Sequence, residues 1–348
     1  MSKPWYLTLR NNKTKIKLIM IILVLMPAAA MLFSFTVGRY AISAGEFLAA
    51  VKGVFGTGVD ADNAATVIFQ VRLPRILAAM LIGGGLAASG AVLQGLFKNP
   101  LVSPDLLGAS AGAGFGTAIA ILAGLGIAGI QGSAFVWGLG AVAATYTLSK
   151  LISRKNQGTL FLILVGMVVS SVFQSLVSLI KYVADPHTKL QTITFWLMGS
   201  LSKADLQDVY LMAAVVAACM IPLLLLRYRM NVMSFSDEEA QSMGLDTRKI
   251  RVIVILCATL MTSASVSIGG LIGWVGLVIP HVARMLVGSN FKVLLPASFL
   301  IGCTYLLLID DLSRAAVAAE IPLGILTGLI GAPFFIYLII KGKRGYEQ

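Results

Sequence analysis

RYRMNVMSFSDEEAQSMGLDTRKIR, residues 227–251, lies between two long apolar runs and is crowded with charge. A segment this polar cannot sit in hydrocarbon, whereas the flanking runs near 206–226 and 249–268 are each long and apolar enough to cross it. Within this island Ser236 stands three residues before Glu239, a capping-box spacing in which hydroxyl and carboxylate each satisfy a free backbone N–H at a helix start. Gly244 supplies the left-handed stop. The stretch predicts one short helix, about Asp237 to Met243, held in water beside a membrane and offered to something outside the bilayer.

Composition puts the whole chain in that frame. Of its 348 residues, 58% are apolar and 12% charged, and the mean hydropathy is +0.90, outside the range of soluble globular domains. The fold class that follows is an all-α polytopic membrane protein, a single transmembrane domain over residues 1–348. The first apolar run, Leu18 to Gly38, follows a basic start as a signal peptide would. It is longer than the apolar core of one, and no polar secreted domain follows, so a retained anchor is expected. Cys219, Cys257 and Cys303 all fall inside apolar runs without CxxC spacing and read as small core residues.

Ten spans are expected, near 18–38, 72–96, 106–125, 133–152, 159–183, 206–226, 249–268, 270–288, 292–311 and 323–341. An even number puts both termini on one side. Lys3, Arg10, Lys13, Lys15 and Lys17 before the first span, Lys341, Lys343 and Arg344 after the last, and the basic residues of the island all fall on that side. The positive-inside rule makes it the cytoplasm, with the protein in the cytoplasmic membrane. The net charge of +12 is thus mostly a topology signal and gives no reason to expect nucleic acid.

Glycine crowds the second and third spans, with Gly83, Gly84, Gly85 and Gly90 on one and Gly108, Gly112 and Gly116 on the other, as close helix packing in lipid requires. Between them Pro100 and Pro104 forbid a continuous helix, and LFKNPLVSPD, residues 96–105, reads as a tight cytoplasmic turn. On the fifth span Ser170, Ser171, Gln174, Ser175 and Ser178 recur every three or four residues and share a face. Such a stripe must meet protein or water, either as helix-to-helix hydrogen bonding or as the wall of a translocation path. The tenth span, with Thr327 among its glycines, offers a second wall.

Arg72, Arg75 and Arg314 lie toward the face poorer in positive charge. Snorkelling explains any one of them; three together suggest carboxylates of an external partner, which guanidinium forks bind bidentately. His281 has no second ligand at metal-binding spacing and reads as a packed core residue. The chain carries no GxxxxGK[ST] phosphate loop, no GxSxG and no HExxH. Acidic or lysine residues at span centres, the marks of ion coupling in secondary carriers, are also missing from the expected spans. The energy source then lies in another chain, and a stand-alone secondary carrier is the remote alternative.

Three blocks carry a resemblance. RLPRILAAMLIGGGLAASGAVLQGLFKNPLVSPDLLGASAGAGFG (72–116), GLIGWVGLVIPHVAR (270–284) and EIPLGILTGLIGAPFFIYLI (320–339) resemble, in order and spacing, the FecCD type of ABC importer permease. These are ten-helix membrane subunits for ferric siderophores, haem and cobalamin. The resemblance implies a transport subunit of type II architecture with no catalytic, cofactor or metal site of its own. It implies two ABC ATPase subunits, which hold ATP and magnesium, an extracytoplasmic substrate-binding protein, and a second permease, either another copy or a homologue. Glu238, Ala240 and Gly244 match the core of the family's ATPase-coupling motif, so Ser236, Asp237, Glu238, Glu239, Ala240 and Gly244, within a segment of about 230–248, are the expected coupling residues. Arg72, Arg75 and Arg314 match positions that meet glutamates of the binding protein in the cobalamin permease. Ser170, Ser171, Gln174, Ser175, Ser178 and Thr327 fall on the helices that line the family's channel, and Thr159 with Leu160 falls where that relative has a cytoplasmic gate. The cargo expected is an iron–siderophore complex, with haem or cobalamin as the alternative.

Overall fold

The computed structural model describes residues 5–38, 45, 63–152, 158–317 and 319–344, and every regular element among them is helical. In chain order these are α1 (Trp5–Thr36), a single α-helical turn (Asn63–Thr66) and a π-helical turn (Val67–Arg72) running into α2 (Leu73–Leu96), a 3-10 turn (Pro104–Leu107), and α3 (Ala109–Leu122). Then follow α4 (Ile127–Ile152), α5 (Gly158–Val183), α6 (Lys189–Met198), α7 (Leu206–Val232) and α8 (Asp237–Ser242). The chain closes with α9 (Thr247–Gly269), α10 (Val275–Val287), α11 (Phe291–Ala315) and α12 (Leu323–Arg344).

Seven of these helices are long and apolar enough to cross a membrane, and three shorter apolar helices, Ala109–Leu122, Val275–Val287 and Leu323–Tyr337, correspond to the third, eighth and tenth expected spans. The third and eighth are cut short by their own sequences. At ~1.5 Å per residue α3 and α10 are about 20 Å long, less than the ~30 Å of a hydrocarbon core. Pro100 and Pro104 keep the chain before α3 from continuing as α-helix, and Gly108 enters α3 with φ +90°. Gly270, at φ +72°, ends α9, and residues 270–274 reach the start of α10 without helix. Non-helical backbone at such depth is tolerated only where protein covers it or water reaches it.

The segment 96–105 is therefore more than a turn. After Lys98, in the left-handed region at φ 51°, it climbs back into the bundle. A Cβ placed on Gly166 of α5 would lie 2.1 Å from the Leu106 carbonyl oxygen, so the 3-10 turn presses on α5 some eight residues in from the end of that helix, roughly 12 Å at 1.5 Å per residue. The short helix α6 is a further addition that the hydropathy of the chain does not announce.

α2 is the axis of the bundle and packs against α7, α9, α10 and α11. Its glycines make this possible. An added Cβ at Gly83 would stand 2.2 Å from the Gly302 carbonyl oxygen, and one at Gly302 would stand 2.3 Å from that of Gly83, so α2 and α11 touch backbone to backbone. On α3, Gly112 and Gly116 meet the carbonyl oxygens of Trp137 and Ser133 on α4 in the same manner. The three cysteines are buried and free. α5, by contrast, leaves Val168, Val172 and Leu179 exposed.

Candidate path and its two ends

At one end of the bundle the island folds as its spacing predicts. The Ser236 hydroxyl accepts from the Glu239 amide at 3.2 Å, and the Glu239 carboxylate accepts from the Ser236 amide at 2.8 Å. Ala240 is fully buried beneath the turn. Met243 caps α8 and Gly244 follows at φ +79°. The hydrogen bond from the Ser236 backbone holds the Glu239 carboxyl below its ordinary value, and the Lys249 amide does the same for Asp246, whose side chain caps α9 by accepting from that amide at 3.1 Å.

Two contacts tie α8 to the spans. Arg251 on α9 donates to Asp237 at 2.7 Å, and Lys98, just past α2, donates to the carbonyl of Phe235. α2 in turn grips the start of α10, since the Gln94 side chain donates to the Leu277 carbonyl at 3.1 Å and to that of Gly276 at 3.3 Å. Asn231 and Asn290 close the same end, bonded to each other at 3.0 Å.

Midway along the bundle lies a groove of about 650 Å³ between α3, α5, the end of α6 and the 270–274 segment. Its polar walls are Asp105, Ser110, Ser170, Ser171, Gln174 and Ser178, and Leu197 and Leu271 add apolar surface. The stripe read from the sequence is thus one wall of a real cavity, except that Ser175, exposed on the same helix, is not part of the wall. Asp105 was not foreseen. It stands on the 3-10 turn, its carboxylate accepting from the Ser110 hydroxyl and, at 3.5 Å, from the Ser103 hydroxyl. No reading of the segment as a surface turn could have placed a carboxylate there.

The other end holds a buried charge network. Arg75, on α2, donates to Asp310 through Nε at 3.0 Å and Nη2 at 2.9 Å, and to Glu320 through Nη1 at 2.9 Å and Nη2 at 3.0 Å. Arg314 lies 3.3 Å from Asp310, bonds Asp311, and donates to the Ser34 hydroxyl of α1 at 2.7 Å. Ser34 donates to Asp311 at 2.6 Å. Arg72 donates to the carbonyl of Phe35.

The profile of the FecCD transport family matches residues 19–341. The chain belongs to the FecCD transport family. It is similar to the molybdate import system permease protein of Haemophilus influenzae, 42% identical over 313 residues that cover 90% of this chain and 92% of that one. It is also similar to a protein of Helicobacter pylori named as the permease of an iron chelatin transport system, 37% identical over 294 residues, 84% of this chain and 88% of that one. A solved structure described as a metal-chelate type ABC transporter in an inward-facing conformation aligns with a TM-score of 0.84 at 40% identity, covering 93% of this chain and 99% of that one. The protein is accordingly a multi-pass permease of an ABC importer.

In this FecCD permease the expected docking arginines sit inside the protein rather than on its surface. Arg72, Arg75 and Arg314 are each buried, and for Arg75 and Arg314 the carboxylates sought in a partner are supplied by Asp310, Asp311 and Glu320 of the same chain. Part of this was open to sequence reasoning, because Asp310 and Asp311 stand four and three residues before Arg314, the spacings at which helical side chains meet. Thr327 is fully buried, and its hydroxyl donates to the Gly324 carbonyl at 3.3 Å. Thr159 and Leu160 lie in the first turn of α5, and their side chains fall outside the described residues.

Proposed function

We propose that this permease is the membrane path for an iron–siderophore complex and works by alternating access, with ATP hydrolysed on magnesium by two partner ATPase subunits. The observation that carries the reading is the groove of about 650 Å³ beside α5. It is roomy enough for a bulky chelate, and its polar lining is hydroxyl and amide groups with the single carboxylate of Asp105. The charge pattern of the sequence supports a cytoplasmic island and cytoplasmic termini. In this reading α8, with Glu238 exposed and Gly244 ending the turn, is seated in the ATPase. Motion imposed there is passed through Arg251 and Lys98 to α9 and α2.

A second permease, another copy or a homologue, covers the apolar face of α5, and the groove then opens on the axis between the two. An extracytoplasmic binding protein delivers cargo at the opposite end. If the arginines help to hold it, they do so by exchanging an internal carboxylate for one of the partner's. Glu320 is the exchangeable one, its side chain being 31% exposed where Asp310 is 0% and Asp311 5%.

The test is reconstitution of the permease with its ATPase and binding protein in liposomes, followed by uptake of radiolabelled iron as ferric siderophore, of haem, of cobalamin and of molybdate. ATP-dependent uptake of the ferric siderophore is expected. Uptake of molybdate, the cargo named for the Haemophilus relative, without any ferric chelate would overturn the assignment of cargo. Uptake without the ATPase would overturn the importer mechanism.

A further inference from the structure

The walls of the groove have a chemical polarity beyond being hydrophilic. The hydroxyls of Ser171 and Ser178 each donate to a carbonyl of their own helix four residues back, at 3.0 Å to Met167 and 3.0 Å to Gln174. The Ser110 hydroxyl donates to Asp105. Their protons are spent, so toward the cavity these serines present lone pairs. Asp105 adds a carboxylate, and none of the described residues lining the groove is lysine, arginine or histidine. The remaining donors are the Gln174 amide and the Ser170 hydroxyl, whose oxygen is buried without a hydrogen-bond partner.

A wall that mostly accepts, with the Asp105 carboxylate among its lining, disfavours an oxyanion on two counts. Such an anion brings only acceptors to a surface already rich in them, and it feels the field of Asp105 across a partly hydrated gap. The same wall suits a cargo that brings N–H or O–H donors or a positive charge. We infer that Asp105 is a specificity-determining residue of the path, acting as a charge filter that passes cationic or donor-bearing chelates and retards anionic ones.

This inference rests on the groove being the cargo path, as proposed above, and its test separates the two. The whole reconstituted importer is used, with one ferric trihydroxamate in three forms: carrying a free amine (cationic), N-acetylated (neutral) and N-succinylated (anionic). The affinity of the binding protein for each is measured separately by fluorescence quenching, and uptake is read with the binding protein fully loaded, so the ratio of rates reports the permease. The unmodified protein is expected to move the cationic form faster than the succinylated one. Asp105→Asn is expected to shift that ratio toward the anion by roughly tenfold, the size of a single charge acting across a partly hydrated gap of about 8–10 Å. Asp105→Glu keeps the ratio.

Ser110→Ala, which removes the hydrogen bond and leaves the charge, also keeps the ratio, whereas a purely structural Asp105 would make Ser110→Ala and Asp105→Asn behave alike. A ratio unchanged in Asp105→Asn overturns the filter while leaving the siderophore reading intact. If the unmodified importer moves molybdate and no ferric chelate, the siderophore reading fails. The filter then predicts that Asp105→Asn raises molybdate turnover, and no rise overturns it as well.

Discussion

Arg75 and Asp310 lie 235 positions apart in the sequence, yet the guanidinium of one meets both carboxylate oxygens of the other at 3.0 Å in an interior where Asp310 has no solvent exposure. Removing one partner of such a pair strands a buried charge, at a cost of about 3–5 kcal/mol. Asp310→Ala is therefore expected to lower the thermal unfolding temperature in detergent markedly. Arg75→Met combined with Asp310→Leu is expected to recover much of that loss, because neither charge of the pair is left buried alone, Arg314 keeps Asp311 and the partly exposed Glu320 can turn to water. A double variant no more stable than Asp310→Ala would contradict the assignment.

The contact between Gly83 and Gly302 leaves no room for a methyl group on either side. With an added Cβ at 2.2 to 2.3 Å from backbone oxygen, neither helix can yield by a side-chain rotation, and α2 must part from α11. Gly83→Ala and Gly302→Ala are each expected to destabilise the protein by about 1–3 kcal/mol, as overpacking does. Gly124, where an added Cβ meets nothing within 4 Å but φ is +75°, separates the two penalties, since Gly124→Ala carries only the backbone cost of about 1–2 kcal/mol. Thermal denaturation of the three variants ranks them.

Glu238 is exposed on α8, so its replacement tests function without disturbing the fold. Glu238→Lys is expected to change stability by no more than about 0.5 kcal/mol, as surface substitutions do, while abolishing ATP-driven uptake and weakening association with the ATPase. Uptake at the unmodified rate in a stable Glu238→Lys protein would remove α8 from the coupling pathway.

The capping box gives a pH dependence whose sign is fixed. Burying nothing but accepting the Ser236 amide, the Glu239 carboxyl titrates below its ordinary value of 4.5 in the folded island. A carboxylate depressed by folding lends stability that is present above that ordinary value and is lost as pH falls through the folded one. Amide exchange at Ser236, corrected for its intrinsic pH dependence, is expected to be protected at neutral pH and to lose protection only in acid below the ordinary carboxyl value of 4.5. Glu239→Gln, which cannot ionise, flattens the profile.

How far the sequence reveals this depends on the range of the interaction. Ser236, Glu239 and Gly244 settle their conformation within nine residues, so the island is legible from spacing alone. The hydropathy of the spans is equally local, and the ten apolar segments reappear as helices. Depth is not local. Pro104 and Gly108 announce a break, but only the packing of Leu106 on Gly166 shows that the break lies inside the bundle and that Asp105 faces a groove. Arg75 hides its internal partners for the same reason. Its true partners are on segments that the sequence places hundreds of residues away, and an arginine next to an unknown fold looks as though it needs a stranger.

The distance along the chain between Arg75 and Asp310 also has a consequence for biosynthesis. As the ribosome delivers the helices in order, Arg75 enters the membrane long before Asp310, Asp311, Arg314 and Glu320 have been made, and Ser34 of α1 waits with it. The cluster can close only when α11 and the segment after it arrive, joining the first inserted helix to nearly the last. A nascent chain broken off before residue 310 would thus hold Arg75 without either of its native carboxylates.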